Sequence, residues 1–296
     1  VQTCALPICM NSFDIALATL VNAALKEDIG TGDHSTLSCI PTSKKGKALL
    51  KIKDTGILAG VEVAEKIFNI IEPGCEFIAY KKDGDHMQVG ETAFEITATV
   101  HTILKGERLV LNCMQRMCGI ATLTNRYAQL LKSYHTRILD TRKTTPNFRL
   151  LEKEAVKIGG GMNHRFGLYD MIMLKDNHID YCGGIIEAIN QAYAYSNQLE
   201  KPLKIEVETR NLSDVELVCT NALNKVDRIM LDNFSPEAVS QALAIIQGRV
   251  ETEASGGINL TTIESFAKTG VDFVSVGGLI HQAQSLDLSL KASFVK

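Results

Sequence analysis

The chain has 296 residues, 45% of them hydrophobic, which is enough to bury the core of one large α/β unit or of one large and one small domain. A formal net charge of -3 gives no global attraction to nucleic acid or to an anionic membrane, so an anionic ligand must be met by a local basic cluster. No apolar run approaches the roughly 18 residues of a membrane span, and the start lacks a basic segment leading into an apolar one; the expectation is a cytoplasmic protein with no membrane or nucleic-acid partner.

The first nine residues, Val1 to Cys9, differ in character from the rest of the chain, and the reading takes Met10 as the natural start and residues 1–9 as an artefact or tail. From Asp14 to Lys26 apolar residues recur at helical spacing, and Gly30, Gly32 and Asp33 then predict a polar loop. Residues 47–100 mix β-like runs (Ala48 to Ile52, Ala93 to Val100) with a helical stretch from Val61 to Ile71 and turn signals at Pro73-Gly74 and Asp83-Gly84, which predicts a small α+β domain. From His101 to about Leu131 the pattern is helical with an interruption near Gly119. None of the eight cysteines forms a Cys-x-x-Cys pair, and Cys113 and Cys118 fall on one helix, so reduced thiols are expected rather than a zinc site.

Beyond residue 131 short apolar runs end repeatedly in charged residues: Ile138 to Lys143, Met171 to Asp176, Ile205 to Glu208, Ile229 to Asn233, Val250 to Ser255 and Phe273 to Gly277. Helical stretches separate several of them (Gly184 to Ala194, Ser213 to Ala222, Pro236 to Ile246, Leu260 to Thr269), at about the 30-residue spacing of a (β/α) barrel. Active sites of such barrels lie at the carboxyl ends of the strands, where Arg142, Lys143, Lys175, Glu208 and Asp232 fall.

Arg142, Lys143, His164, Arg165 and Lys175 would give that mouth a positive field suited to carboxylates or phosphates, although each cation alone reads more readily as a solvated surface group. Ser255-Gly256-Gly257 and Gly277-Gly278 expose backbone amides where helices begin, a phosphate-binding arrangement that tight strand-to-helix turns also require for other reasons. Glu208 and Asp232 end two of the strands; they would hold ribose hydroxyls, coordinate Mg2+ on a pyrophosphate or stabilise positive charge at a sugar carbon, or else pair with Lys143 and Lys175 in a structural ion network.

Further stretches complete a pattern: Glu27 to Asp33, Asn112 to Thr122, Asp140-Thr-Arg-Lys-Thr-Thr-Pro through Arg149, Glu152-Lys-Glu-Ala-Val, Gly159-Gly-Gly-Met-Asn-His-Arg through Asp170, Leu174 to His178, Glu206-Val-Glu208, Leu231-Asp-Asn and Glu253 to Ile258. In this order, from about residue 14 to the end, the chain resembles the quinolinate phosphoribosyltransferase family. The resemblance implies an α/β fold: an amino-terminal α/β sandwich domain over residues 10–120, joined by the chain end 281–296, and an incomplete parallel α/β barrel over 121–280. It implies a homodimer in which one subunit's sandwich domain covers the partner's barrel mouth and contributes Arg108. Arg142, His164 and Arg165 would then bind the two carboxylates of quinolinate, and Lys143 and Lys175 would lie between it and phosphoribosyl pyrophosphate. Glu208 and Asp232 would hold the ribose and Mg2+, and Ser255, Gly256, Gly257, Gly277 and Gly278 the 5-phosphate, which His281 approaches. Lys143, Lys175, Glu208 and Asp232 are the residues expected to carry the catalysis. The implied reaction gives nicotinate mononucleotide, pyrophosphate and carbon dioxide, a step of NAD biosynthesis.

Two departures stand out: Asn147-Phe148 where the family commonly has Gly-Leu, and Glu154 where it has an aromatic residue. Competing readings are a phosphoribosyltransferase for nicotinate or another aromatic acid, a Schiff-base aldolase with Lys175 as nucleophile, and a catalytically silent ligand sensor.

Overall fold

A computed structural model describes residues 12–293, so the expectation for residues 1–10 lies outside the described residues. The strands are β1 (Lys45–Ile52), β2 (Gly56–Ile57), β3 (Glu76–Ala79), β4 (His86–Met87), β5 (Thr92–Thr99), β6 (Arg137–Leu139), β7 (Ile172–Leu174), β8 (Ile205–Thr209), β9 (Arg228–Asp232), β10 (Glu251–Ser255), β11 (Phe273–Ser275) and β12 (Leu288–Ser293). They fall into two compact units, one of residues up to Leu123 with Thr144–Gly159 and Gln282 onward, the other of Thr124–Lys143 and Gly160–His281. No helix among the described residues is long and apolar enough to cross a membrane.

The first unit is built on an antiparallel sheet in the order β12-β1-β5-β3. Alternation in β1 and β5 puts Leu50, Ile52, Phe94 and Ile96 into the core, where Phe68 of the helix Val61–Ile71 meets Phe94 edge-on at 6.4 Å. The chain end supplies β12, whose Leu290 lies opposite Leu50 in the ladder.

One sequence expectation changes here. The polar loop expected at Gly30, Gly32 and Asp33 does follow the first helix (Ser12–Ile29), and Asp33 then caps a short helix, His34–Cys39, by accepting from the Thr36 N–H at 3.1 Å. The long helix Val100–Leu130 runs unbroken through Gly119. A glycine stands there because a Cβ would lie 2.0 Å from the Gln284 carbonyl oxygen, so the residue reflects a close backbone approach and not a break. The helix Arg149–Ile158, inside the range 121–280 expected for the barrel domain, makes its contacts in the first unit, where Glu152 pairs with Arg116 of the long helix at 3.0 Å.

The second unit is the incomplete parallel α/β barrel. Its six strands run β6-β11-β10-β9-β8-β7, so each strand from β7 to β11 neighbours the next and β11 closes onto β6. Among the described residues no ladder joins β6 to β7, and a single parallel bridge from Leu139 to Met162 lies at that opening. The period-2 alternation explains the barrel's unusual interior. Val207, Ile229, Leu231, Ala254 and Val274 occupy one face and are wholly buried, as are Val215, Val218, Val239, Ala242 and Ile263 on the surrounding helices. The opposite face carries Glu206 and Glu208 on β8, Arg228 and Asp232 on β9, and Glu253 and Ser255 on β10.

Candidate active site

Parallel strands deliver their charged carboxyl-terminal residues to one rim of the barrel, where two groups of contacts form. In the first, Lys175 Nζ lies 3.6 Å from Glu208 Oε2, and the Asp176 N–H reaches Glu208 Oε1 at 3.4 Å. Burial pushes the Glu208 carboxyl above its ordinary range; Lys175 opposes this and the charge of Asp232 adds to it. Beside Asp232, Asn233 takes a left-handed backbone (φ 58°), donates from Nδ2 to Asp232 Oδ2 at 2.6 Å and through its N–H to the Ser255 carbonyl at 2.8 Å. Gly256 follows at φ 94°, and a Cβ there would meet Asn233 Oδ1 at 2.1 Å. Asp232, Asn233, Ser255 and Gly256 therefore make one interlocked rim in which only glycine fits at 256.

In the second group, a Cβ on Gly277 would stand 3.0 Å from Lys143 Cδ and 3.4 Å from His281 Nε2. The bare glycine lets the lysine stem and the imidazole draw close over its backbone, and Gly278 opens the short helix that ends at His281.

Arg142 and Arg165 form the third feature. The Arg142 Nε is buried and has no hydrogen-bond partner among the described residues. Burial, followed by the charge of Arg142, lowers the pKa of the Arg165 guanidinium, whose Nη1 donates to the Met171 carbonyl at 3.2 Å. Two guanidiniums held close enough to repel, one with an unused buried donor, are a site prepared for an anion.

His164 is placed differently from its neighbours. Its backbone N–H donates to Asp140 Oδ1 at 2.9 Å, and its Nε2 lies 2.9 Å from Glu206 Oε2 and 3.4 Å from Glu253 Oε2, both carboxylates wholly buried. Glu253 is also paired with Arg228 Nη1 at 3.0 Å, and the Arg228 guanidinium stacks 4.1 Å from the Phe273 ring. Burial opposes charge on the imidazole, but Glu206 and Glu253 outweigh it and raise the His164 pKa to about 9. The Arg165 N–H, 2.6 Å from Nδ1, favours the neutral ring instead. Two charge-assisted contacts are stronger than one neutral amide contact, so the imidazolium prevails at neutral pH. In turn, burial and then the charge of Glu253 raise Glu206 to about 7, against the pull of His164 and Arg228.

His164, Glu206 and Glu253 offer atoms within 4.8 Å of one another, close enough for a metal ion. Arg228 already supplies a cation to Glu253 and His164 lies against both carboxylates, so the set forms a buried ion cluster.

Of the residues singled out from sequence, the second unit brings Lys175, Glu208, Asp232, Ser255 and Gly256 into one stretch of rim, and Lys143, Gly277 and His281 into another. Gly257 (φ 65°) continues the turn after Gly256. Arg108 stands exposed on the long helix of the first unit. Sequence reasoning gave no role to Glu206, Glu253, Arg228 or Asp140; the Ile-Glu-Val-Glu alternation was a sufficient signal for Glu206, because residues two apart in a strand share a face. Asn147, one of the two departures, has φ 63°, so it adopts the left-handed backbone for which glycine is otherwise the natural choice.

Comparison with known proteins decides the family. Residues 33–118 match the quinolinate phosphoribosyl transferase N-terminal domain, and residues 120–291 match its C-terminal domain. The chain belongs to the quinolinate phosphoribosyltransferase family. It is 41% identical over 288 residues to the chloroplastic nicotinate-nucleotide pyrophosphorylase [carboxylating] of Arabidopsis thaliana, covering 93% of this chain and 82% of that protein. It is 41% identical over 276 residues to the probable nicotinate-nucleotide pyrophosphorylase [carboxylating] of Bacillus subtilis, covering 93% of each. The crystal structure of NadC from Streptococcus pyogenes superposes with a TM-score of 0.88 at 40% identity, over 97% of this chain and all of that one.

Proposed function

We propose that this member of the family transfers the phosphoribosyl group of phosphoribosyl pyrophosphate to quinolinate with decarboxylation, giving nicotinate mononucleotide, pyrophosphate and carbon dioxide in NAD biosynthesis. The observation that carries the reading is the Arg142–Arg165 pair with its unused buried donor, which suits a ligand bearing two carboxylates better than one bearing a single carboxylate. His164, held as an imidazolium against Glu206 and Glu253, then adds positive charge to this part of the barrel.

The pyridine nitrogen attacks the anomeric carbon as the bond to pyrophosphate breaks, with positive charge growing at the sugar. Glu208 and Asp232 are the carboxylates placed to stabilise that charge and to hold the ribose hydroxyls, and Lys143 and Lys175 are the cations for the departing pyrophosphate. Ser255, Gly256, Gly257, Gly277 and Gly278 offer the backbone groups for the 5-phosphate, with His281 beside them. The new pyridinium withdraws electrons from the adjacent carbon, carbon dioxide leaves, and that carbon takes a proton from solvent.

Hard oxygen donors on neighbouring strands, one of them raised in pKa by burial and by the other, fit a magnesium ion, and Glu208 and Asp232 are the residues that would hold it directly or through water. When bound, magnesium supplies positive charge that neutralises the pyrophosphate. A homodimer in which Arg108 reaches the neighbouring site belongs to the same reading and is supported by the exposure of Arg108. So does a cytoplasmic location, with which the six free cysteines among the described residues agree.

The deciding assay supplies phosphoribosyl pyrophosphate and magnesium with quinolinate or nicotinate, following pyrophosphate and carbon dioxide. Release of both with quinolinate is expected. Pyrophosphate release with nicotinate alone would overturn the substrate, and no turnover with either would overturn the reaction.

A further inference from the structure

Arg165 lies on the segment that spans the unclosed side of the barrel. Among the described residues no ladder joins β6 to β7, and Met162 meets β6 in a single bridge: its N–H donates to the Ile138 carbonyl at 2.8 Å, and its carbonyl accepts from the Asp140 N–H at 3.1 Å. Two residues further on, His164 ties the segment to the rest of the unit. Its backbone N–H donates to Asp140 Oδ1 at 2.9 Å, and its Nε2 lies 2.9 Å from Glu206 on β8 and 3.4 Å from Glu253 on β10. The carboxylate of Glu253 is held in its turn by Arg228 Nη1 at 3.0 Å and by a hydrogen bond from Ser275. Arg228 is fixed by Glu251 at 2.9 Å and by the Phe273 ring at 4.1 Å. All of these residues belong to the second unit, and Glu206 and Glu253 are wholly buried.

Parallel α/β barrels ordinarily fill their interior with branched apolar side chains. Replacing a buried ion pair by apolar residues of similar volume is often neutral or stabilising, so stability alone does not account for charges at these positions. What charges supply and apolar packing does not is direction: charge-assisted contacts hold one imidazole in one orientation. We infer that Glu206, Glu253 and Arg228 are positioning residues for quinolinate: by locking His164 they fix the neighbouring Arg165 against Arg142, and so set the spacing of the two guanidiniums that receive two adjacent carboxylates. All three act through His164 and Arg165. The inference rests on the function proposed above.

The test compares Glu206→Gln and Ser275→Ala with the wild type, measuring quinolinate affinity by calorimetry, kcat and both KM values by steady-state kinetics, and Tm. Glu206→Gln keeps the shape of the side chain and removes its charge, whereas Ser275→Ala removes one bond to Glu253 and leaves every charge in place. Glu206→Gln is expected to weaken quinolinate binding by about 10-fold or more, the loss that misaligning one charge-assisted contact produces, with KM for phosphoribosyl pyrophosphate little changed. Ser275→Ala is expected to shift quinolinate binding in the same direction by less, at a Tm close to that of the wild type, and it decides alone if Glu206→Gln does not fold. Charge by itself predicts otherwise: removing an anion near the site of a dianion tightens binding, or leaves it unchanged if His164 gives up its proton in compensation. Wild-type or tighter quinolinate binding in the folded variants, or a loss shared equally by both substrates, would overturn the inference. If the wild-type chain neither binds nor turns over quinolinate, the proposed function fails and the inference with it; wild-type turnover with unaltered variants sinks the inference alone.

Discussion

His164 shows how strongly one residue's surroundings set its role. With Glu206 and Glu253 on Nε2 its pKa is pushed from the ordinary 6.5 to about 9, and Glu206 is pushed from 4.5 to about 7. Both groups move upward, so both act in the same direction. Together these two groups hold more protons in the folded protein than in the unfolded chain between about pH 5 and 9, so their contribution to stability falls as pH rises through that window. The histidine contribution is intact below about pH 6.5 and is lost as pH climbs to about 9. A tenfold change in proton affinity corresponds to about 1.4 kcal/mol, and because the groups share one cluster the joint effect is on the order of a few kcal/mol. At roughly 2–4 °C per kcal/mol for a chain of this size, Tm should drop by several degrees between pH 6 and pH 9.5. His164→Gln should flatten the profile. A wild-type Tm that is level across this range would show that the imidazole is not held charged.

Among the elements, the long helix Val100–Leu130 carries the clearest stereochemical demand. At Gly119 an added methyl would collide with the Gln284 carbonyl, a backbone atom that no rotamer change can move aside. Gly119→Ala should therefore destabilise by about 1–3 kcal/mol, as overpacking does, although alanine is the better helix former by roughly 1 kcal/mol. Chemical denaturation of the variant measures this, and equal or greater stability would mean that the chain after His281 is free to shift. The same glycine marks where sequence reasoning met its limit, because a glycine inside a helical pattern does not reveal what approaches it from 165 positions away. Periodicity did place the strands that build the barrel: the runs at Ile205, Ile229 and Val250 became β8, β9 and β10 within a residue or so. Their charged ends were legible as a mouth for the same reason. What alternation could not show was the pairing across the barrel, in which Glu253 on β10 meets His164 from the loop before β7, since that depends on register and closure and not on local pattern. The helix Arg149–Ile158 was missed for a related reason: its buried charges Glu152 and Lys153 disguise an amphipathic pattern that satisfies them only in the folded chain.

For the whole molecule the open question is whether one chain makes a complete site. Arg108 lies on the first unit, while the other expected quinolinate ligands, Arg142, His164 and Arg165, lie on the second. If the proposed homodimer supplies Arg108 from one protomer to the other's barrel, the defect of an Arg108 variant resides in its neighbour's site. Arg108→Ala and Lys143→Ala should each be inactive alone as a homodimer. In a mixed dimer formed from the two variants, one site collects both substitutions and the other collects neither, because a twofold arrangement exchanges the two contributions. Refolding or subunit exchange of an equal mixture makes about half of the dimers mixed, so activity should return to roughly a quarter of the wild-type level. An inactive mixture, after native mass spectrometry has shown that mixed dimers formed, would place Arg108 in its own chain's site or outside the chemistry altogether. Recovery would show that the positive field around quinolinate is completed only by assembly, and the dissociated protomer should then be catalytically silent even when it is fully folded.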